Sequence, residues 1–233
     1  MIKYYTRACN FYYGQSSIDK VNKKKSLPLH GNKLISFDSI EIITRKNKRL
    51  ISLRDIIKLP LNLKKKVIND LKKITKIKKI NKLKFKTNPL LMGILNATPD
   101  SFSDGGKYLK KKSAFKQIQK LKKDGADIID IGGESTRPNS DTVNQIIEWN
   151  RIKSKIEFTK KKRMFVSLDT RKSFVFKKSL KFKIDLLNDV SGLSYDKEMI
   201  KMLRETKIPF VLHHMQGTPK TMQKNPTYRN VVL

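Results

Sequence analysis

Residues 125–138 read GADIIDIGGESTRP, and this stretch decides the fold class. Its first half, 127–133, is a short and mainly apolar run bounded by glycine, which is typical of a strand buried in a sheet. Its second half continues directly into Glu134, Ser135, Thr136, Arg137 and Pro138. The stretch therefore predicts a buried strand that delivers a polar loop at its carboxyl end.

The same pattern recurs on both sides of this stretch, with helical periodicity between the strands. Predicted strands cover 90–96, 127–133, 164–170, 185–190 and 209–215, and predicted helices cover 113–123, 143–160, 173–181 and 195–206. Apolar strands joined by helical crossovers indicate a parallel sheet covered by helices. The pattern alone allows either a doubly wound sheet or a (β/α) barrel.

Polar residues collect where each predicted strand ends. These clusters are 96–106, 132–138, 169–171, 188–189 and 213–217. Any one of them is explained by a turn or a helix cap, but in a parallel barrel the five share one face, where active sites are built. His213 and His214 do not predict a joint metal site, because neighbours on a strand point to opposite faces.

Residues 1–89 have a different texture and predict a small basic α+β extension. Alternating apolar residues predict a hairpin over 36–57 with its turn at 46–48, and apolar residues spaced by three and four predict a basic amphipathic helix over 62–80. That helix presents a polyanion-binding or membrane face, or it packs by one stripe and is solvated elsewhere, which we favour. Residues 82–88 are predicted to be a linker, and no motif indicates a role for the extension.

The composition is strongly basic, with 53 Lys and Arg against 20 Asp and Glu and a net charge of +33 over 233 residues. Such a charge attracts polyanions, but the excess is nearly all Lys, accompanied by abundant Ile and Asn, as in any AT-rich coding sequence. Nucleic acid is therefore not an expected partner. The single Cys9 and the lack of a long apolar run predict a cytoplasmic protein with no membrane-spanning helix.

Two stretches resemble the signatures of the dihydropteroate synthase family. Residues 91–106 (LMGILNATPDSFSDGG) are similar to the first, and 125–138 to the second. Residues 167–170 (SLDT), 188–189 (ND) and 214–222 (HMQGTPKTM) resemble further blocks in the same order. Two alternatives stay open: a pterin-binding methyltransferase domain, disfavoured by the first two motifs, and a basic nucleic-acid-binding protein on a degenerate barrel.

The resemblance implies a (β/α)8 TIM barrel and a transferase of folate biosynthesis. Its expected substrates are 6-hydroxymethyl-7,8-dihydropterin diphosphate and 4-aminobenzoate, which condense to 7,8-dihydropteroate and diphosphate. It also implies a homodimer and Mg²⁺, which Asn96 would bind. Asp169 and Asn188 would contact the dihydropterin, with Asp169 catalytic through its negative charge.

The remaining site residues implied by the resemblance lie in two loops. Phe102 would contact the aminobenzoate ring, and Thr136 and Arg137 would lie near the diphosphate or the carboxylate. Asp104 and Arg137 have opposite charges and would join the two loops over the site, so both are expected in the catalytic machinery.

The chain also departs from the family pattern. A complete barrel of this kind takes about 250 residues, so residues 90–233 are expected to form about five β/α units of a C-terminally truncated barrel with little activity alone. His213 stands where the family more often has an apolar residue, which is expected to alter the pterin pocket.

Overall fold

The structure is a computed structural model that describes residues 4–77, 79–80, 83–84, 89–98, 110–135, 140–217, 221 and 225–229. The chain divides into two compact units, one of residues 1–89 with 228–233 and one of residues 90–227. Within the described residues, no helix is both long enough and apolar enough to cross a membrane.

The first unit is built on a four-stranded antiparallel sheet. Its strands are β1 (Tyr5–Tyr13), β2 (Leu27–Leu29), β3 (Asn32–Ile43) and β4 (Lys48–Ser52). The long β3 pairs with β1 along one edge, and with β2 and then β4 along the other. The other elements are α1 (Gly14–Asn22), a 3-10 turn (Leu53–Lys58), α2 (Leu61–Thr75), β5 (Lys79–Ile80) and β6 (Leu83–Lys84).

The predicted hairpin is confirmed as β3 and β4, whose turn is closed by a hydrogen bond from the Thr44 N–H to the Asn47 carbonyl at 2.9 Å. The predicted basic helix is α2, but it ends at Thr75 instead of residue 80. The reason is the next element: β5 pairs antiparallel with β6, so the backbone is already extended there. These two short strands fall at the end of the predicted helix and inside the predicted linker.

The apolar stripe of α2 packs into the core of the first unit. Val67 and Leu71 are buried in the same apolar cluster as Phe37, Ile40 and Ile51 of the sheet. The helix is therefore held by one apolar stripe, as the favoured interpretation of its pattern requires.

The second unit alternates strand and helix from end to end. In chain order it contains β7 (Met92–Asn96), α3 (Lys111–Lys123), β8 (Ile128–Gly132), α4 (Gln145–Lys161), β9 (Phe165–Asp169), α5 (Ser173–Ser179), β10 (Leu186–Asp189), α6 (Lys197–Thr206) and β11 (Phe210–Leu212). Each predicted strand and helix of this part is present. The largest difference is β11, which is shorter than the predicted strand over 209–215.

The order of the strands decides between the two architectures that the sequence left open. The sheet runs β11-β10-β9-β8-β7, so each strand lies beside its predecessor and all pairs are parallel. A doubly wound sheet reverses its direction of growth at a switch point, and this sheet does not. The second unit is an incomplete (β/α) barrel of five strands.

The two faces of this sheet have different characters because side chains alternate along a strand. One face is apolar and packs against the helices, with Leu95, Ile129, Ile131 and Leu168 fully buried beside Ile152 and Phe176. The other face carries polar residues, namely Asn96, Asp130, Ser167, Asp169 and Asn188. The second face supplies the candidate site.

Candidate active site

Three residues singled out in the sequence lie level with one another at the carboxyl edge of the sheet. Asn96 on β7 is in register with Gly132 on β8, Gly132 with Asp169 on β9, and Asp169 with Asn188 on β10. Residues in register on neighbouring parallel strands point to the same face. The sheet therefore brings Asn96, Asp169 and Asn188 to one surface.

Gly132 makes room for the Asp169 side chain. A Cβ atom at position 132 would lie 2.8 Å from Asp169 Oδ2 and 3.3 Å from its Cβ. The first distance is shorter than a carbon atom allows and the second is tight, so a larger residue would push the carboxylate aside. Gly132 of β8 thus leaves the space that Asp169 of the neighbouring β9 occupies.

The carboxyl group of Asp169 is strongly perturbed. Burial raises its pKa well above the usual value of 3.8, and the negative charges of Asp130, Glu148, Glu134 and Asp189 raise it further. A group in this position holds a proton more readily than an ordinary aspartate does. It gains most from a ligand that brings N–H donors or positive charge.

Beneath this edge, a chain of hydrogen bonds links β8, β10 and the segment that follows β11. Asn188 Nδ2 donates to Asp130 Oδ2 at 2.9 Å, and His213 Nε2 lies 2.6 Å from Asn188 Oδ1. Burial raises the pKa of Asp130, against the opposing effects of the Asn188 donor and of His213. Sequence analysis assigned no role to Asp130, although it is the one charged residue in an otherwise apolar strand.

A buried ionic cluster of four residues supports the loops beside the site, and we refer to it as the Glu134 cluster. Arg171 Nε donates to Glu134 Oε2 at 2.9 Å, and Lys172 Nζ lies 2.8 Å from Glu134 Oε1 and 2.6 Å from Glu148 Oε2. Thr170 donates to Glu148 Oε1 at 2.5 Å. Two acids and two bases leave the cluster without net charge.

The two glutamates of the cluster are held differently. Burial would raise the pKa of Glu134, but hydrogen bonds from Arg171, Lys172 and the Val143 N–H outweigh it and the pKa is lowered. Glu148 is fully buried, and its pKa is raised by burial despite its bonds to Lys172 and Thr170. Glu148 lies in the first turn of α4, where acids are common for helix-dipole reasons, so its position gave no signal of burial.

Arg171 also joins the loop that follows β8 to the loop that follows β9. Beyond its bonds to Glu134, its Nη2 donates to Thr142 Oγ1 at 3.2 Å, and its guanidinium lies over the Tyr195 ring at 4.2 Å. Four residues expected in the site, Phe102, Asp104, Thr136 and Arg137, lie outside the described residues.

Comparison with known proteins places this geometry in a family. Residues 92–233 match the model of the family described as pterin binding enzyme. The chain belongs to this family. A dihydropteroate synthase of Neisseria meningitidis serogroup B is 44% identical over 146 residues, which are 62% of this chain and 51% of that protein.

Solved structures agree with this assignment. A Yersinia pestis dihydropteroate synthase in complex with a sulfonamide drug superposes with a TM-score of 0.62 at 36% identity, over 66% of this chain and 57% of that one. The Burkholderia cenocepacia enzyme complexed with 7,8-dihydropteroate gives 0.53 at 35% identity, over 63% and 48%. The chain spans about half the length of the curated relatives that it matches.

Asp169→Asn is expected to increase stability at neutral pH. A carboxyl group whose pKa is raised on folding binds more protons in the folded state. Its contribution to the free energy of unfolding is therefore largest at low pH and is lost as the pH rises above about 4. An amide does not ionise and so avoids this loss. In urea unfolding, the free energy of unfolding of the variant should therefore increase relative to that of the wild type as the pH rises from 4 to 7.

Asp185→Asn is the matched control for this measurement. Asp185 pairs with Lys160 at 2.7 Å and accepts the Val166 N–H at 2.9 Å. Its replacement should therefore lower the stability at pH 7. A loss of stability in Asp169→Asn comparable to that of the control would contradict the raised pKa.

Lys172→Met is expected to lower the free energy of unfolding by about 3–5 kcal/mol, because it leaves the buried Glu148 without a cationic partner and removes one of the two cations that pair with Glu134. Lys177→Met, an exposed position in α5, should change stability little. Adding Glu148→Met to Lys172→Met should recover much of the loss by removing the unpaired acid. Failure of the double variant to recover would show that packing, and not charge, holds the cluster together.

Proposed function

We infer that this chain is the pterin-binding part of a dihydropteroate synthase. The reaction joins 6-hydroxymethyl-7,8-dihydropterin diphosphate to 4-aminobenzoate and gives 7,8-dihydropteroate and diphosphate. The main support is that Asp169 and Asn188 lie in register on neighbouring strands, with Asn96 at the same edge of the sheet, in a member of the pterin binding enzyme family. The identity to dihydropteroate synthases supports this assignment.

The chemistry requires two opposite electrostatic environments. The bond between the pterin methylene and the diphosphate oxygen breaks, the amine nitrogen of 4-aminobenzoate bonds to the methylene, and the amine loses a proton. Positive charge builds on the pterin while negative charge leaves with the diphosphate. The carboxylate of Asp169 supplies negative charge beside the pterin, where positive charge builds. Because the pKa of this group is raised, its ionised form is stabilised by a ring that brings N–H donors.

Asn188 complements Asp169 along the ring edge. A carboxylate accepts hydrogen bonds from ring N–H groups, whereas an amide both donates and accepts. The in-register pair thus fits an edge that carries N–H groups beside a carbonyl or an unprotonated ring nitrogen. The pterin is assigned to these two residues.

Asn96 is assigned to Mg²⁺. The described residues contain no group of three His, Cys, Asp or Glu side chains able to hold a metal ion. A single amide oxygen fits a Mg²⁺ whose other ligands are water and the oxygens of the diphosphate. The ion would neutralise the leaving group, and this chain's part is to orient it through Asn96.

The other assignments complete the proposal. Phe102 is assigned to the aminobenzoate ring, Thr136 and Arg137 to the anionic groups, and Asp104 with Arg137 to loop closure. Residues 90–233 are assigned to the catalytic barrel and 1–89 to a separate extension. A cytoplasmic location and a homodimer belong to the same proposal. No observation on the described residues favours the methyltransferase or nucleic-acid alternatives over it.

Asp169→Asn is expected to weaken pterin binding at least about tenfold, because an N–H replaces an acceptor that faces ring N–H groups. The probe is 6-hydroxymethylpterin monophosphate, and the measurement is its fluorescence on titration with the full chain. Asp124→Asn, an exposed aspartate after α3, is the control and should bind as the wild type does. Equal affinity in all three proteins would remove Asp169 from the site.

Asn96→Ala is expected to abolish most of the benefit that Mg²⁺ brings to binding of the pterin diphosphate. The wild type should bind that substrate more tightly in Mg²⁺ than in EDTA, and the variant should show a much smaller difference. Binding of 6-hydroxymethylpterin without phosphate serves as the control, because it involves no metal ligand. An unchanged Mg²⁺ dependence in the variant would contradict the assignment of Asn96.

A further inference from the structure

His213 contacts Asn188, and the proposed mechanism gives this histidine no role. It follows β11, and its Nε2 lies 2.6 Å from Asn188 Oδ1. On the other side of the amide, Asn188 Nδ2 donates to Asp130 Oδ2 at 2.9 Å. Asn188 is thus held at opposite ends of its amide, by Asp130 of β8 on one side and by His213, which follows β11, on the other.

The chemistry of these two contacts fixes the proton on the imidazole. Ionised Asp130 only accepts hydrogen bonds, so the amide turns its NH₂ group toward it. The amide oxygen then faces His213, and an oxygen without a hydrogen requires a donor. The Nε2 atom of His213 therefore carries the proton in this arrangement.

The arrangement leaves Asn188 half of its hydrogen-bonding capacity. An amide has two N–H donors and two acceptor lone pairs on oxygen, and Asp130 and His213 use one of each. One N–H and one lone pair remain, beside the in-register Asp169. Their positions depend on which way the amide is turned.

Asp130 alone is a weak guide to that orientation. Burial raises its pKa, and a protonated carboxyl group can donate to the amide oxygen as well as accept from the nitrogen. The reversed amide would bring an N–H group against the Nε2–H of His213, which is repulsive, so the reversal would also require the imidazole proton to move to Nδ1. A His213 ring that carries its proton on Nε2 therefore favours the orientation in which the amide oxygen faces it.

We propose that His213 is a positioning residue for the pterin ring, acting through Asn188. This inference rests on the proposed function, because it names the ligand edge that the oriented amide recognises. It also gives a role to a histidine that stands where the resembled family more often has an apolar residue. An apolar side chain at this position leaves the orientation of the amide to Asp130 alone.

The test compares two substitutions of similar length. His213→Met removes the donor, and His213→Gln retains an N–H near the position of Nε2. The methionine variant should bind 6-hydroxymethylpterin monophosphate about three- to tenfold more weakly, the size of one buried hydrogen bond. The glutamine variant should recover most of the wild-type affinity, and thermal unfolding of both shows whether either change acts through the fold.

A second measurement needs no ligand and no variant that must fold. The chain has three histidines, so the ¹⁵N chemical shifts of the His213 imidazole can be assigned by NMR. We expect a protonated Nε2 and an unprotonated Nδ1 at pH 8. A ring protonated on Nδ1 alone would overturn the proposal.

The binding results separate this proposal from the proposed function. If the wild type binds the probe and His213→Met binds it equally well, the positioning role is wrong and the pterin site stands. If the wild type binds no better than Asp169→Asn, the pterin site itself is wrong and the role of His213 falls with it. Weak binding by the methionine variant with recovery by glutamine supports both.

Discussion

The register of the parallel sheet is the constraint on which the site depends. A shift of one residue on any strand would turn its side chains to the opposite face, so Asn96, Asp169 and Asn188 meet only in the register observed. The apolar face enforces it, because Leu95, Ile129 and Leu168 must stay under the helices. Gly132 completes the constraint by leaving the space that Asp169 occupies.

The carboxyl edge concentrates acids at a cost in stability that the fold partly offsets. Four acids lie close enough to raise the pKa of Asp169. Arg171 and Lys172 pair with two of them, Glu134 and Glu148, and partly cancel their charge. Asp169 still feels Asp130 and Asp189 in addition to its burial. An aspartate kept at such a position is typical of functional sites, where perturbed groups are placed for chemistry and not for stability.

Much of the second unit could be predicted from the sequence, and the reasons are local. Apolar runs ending in polar residues located β8 and β9, and strand ends located Asp169 and Asn188. The strand order could not be predicted, because periodicity does not say which strands pair. Contacts between distant segments could not be predicted either. Asp130 and Asn188 are separated by 58 positions in the sequence, and Glu148 and Lys172 by 24 positions, yet each pair is hydrogen-bonded. In the first unit, β1, α1 and β2 were not predicted.

The charge of the chain and the charge of the site have opposite signs, and this bears on function. The excess of +33 is carried mainly by lysines, whereas the described polar face of the barrel sheet carries Asp130 and Asp169 with no Lys or Arg on its strands. A groove for a polyanion needs cations along its floor. Under the proposed function, this face would instead meet a ring that presents N–H groups and acquires positive charge. The net charge of the chain therefore does not indicate a polyanion ligand on this face of the sheet.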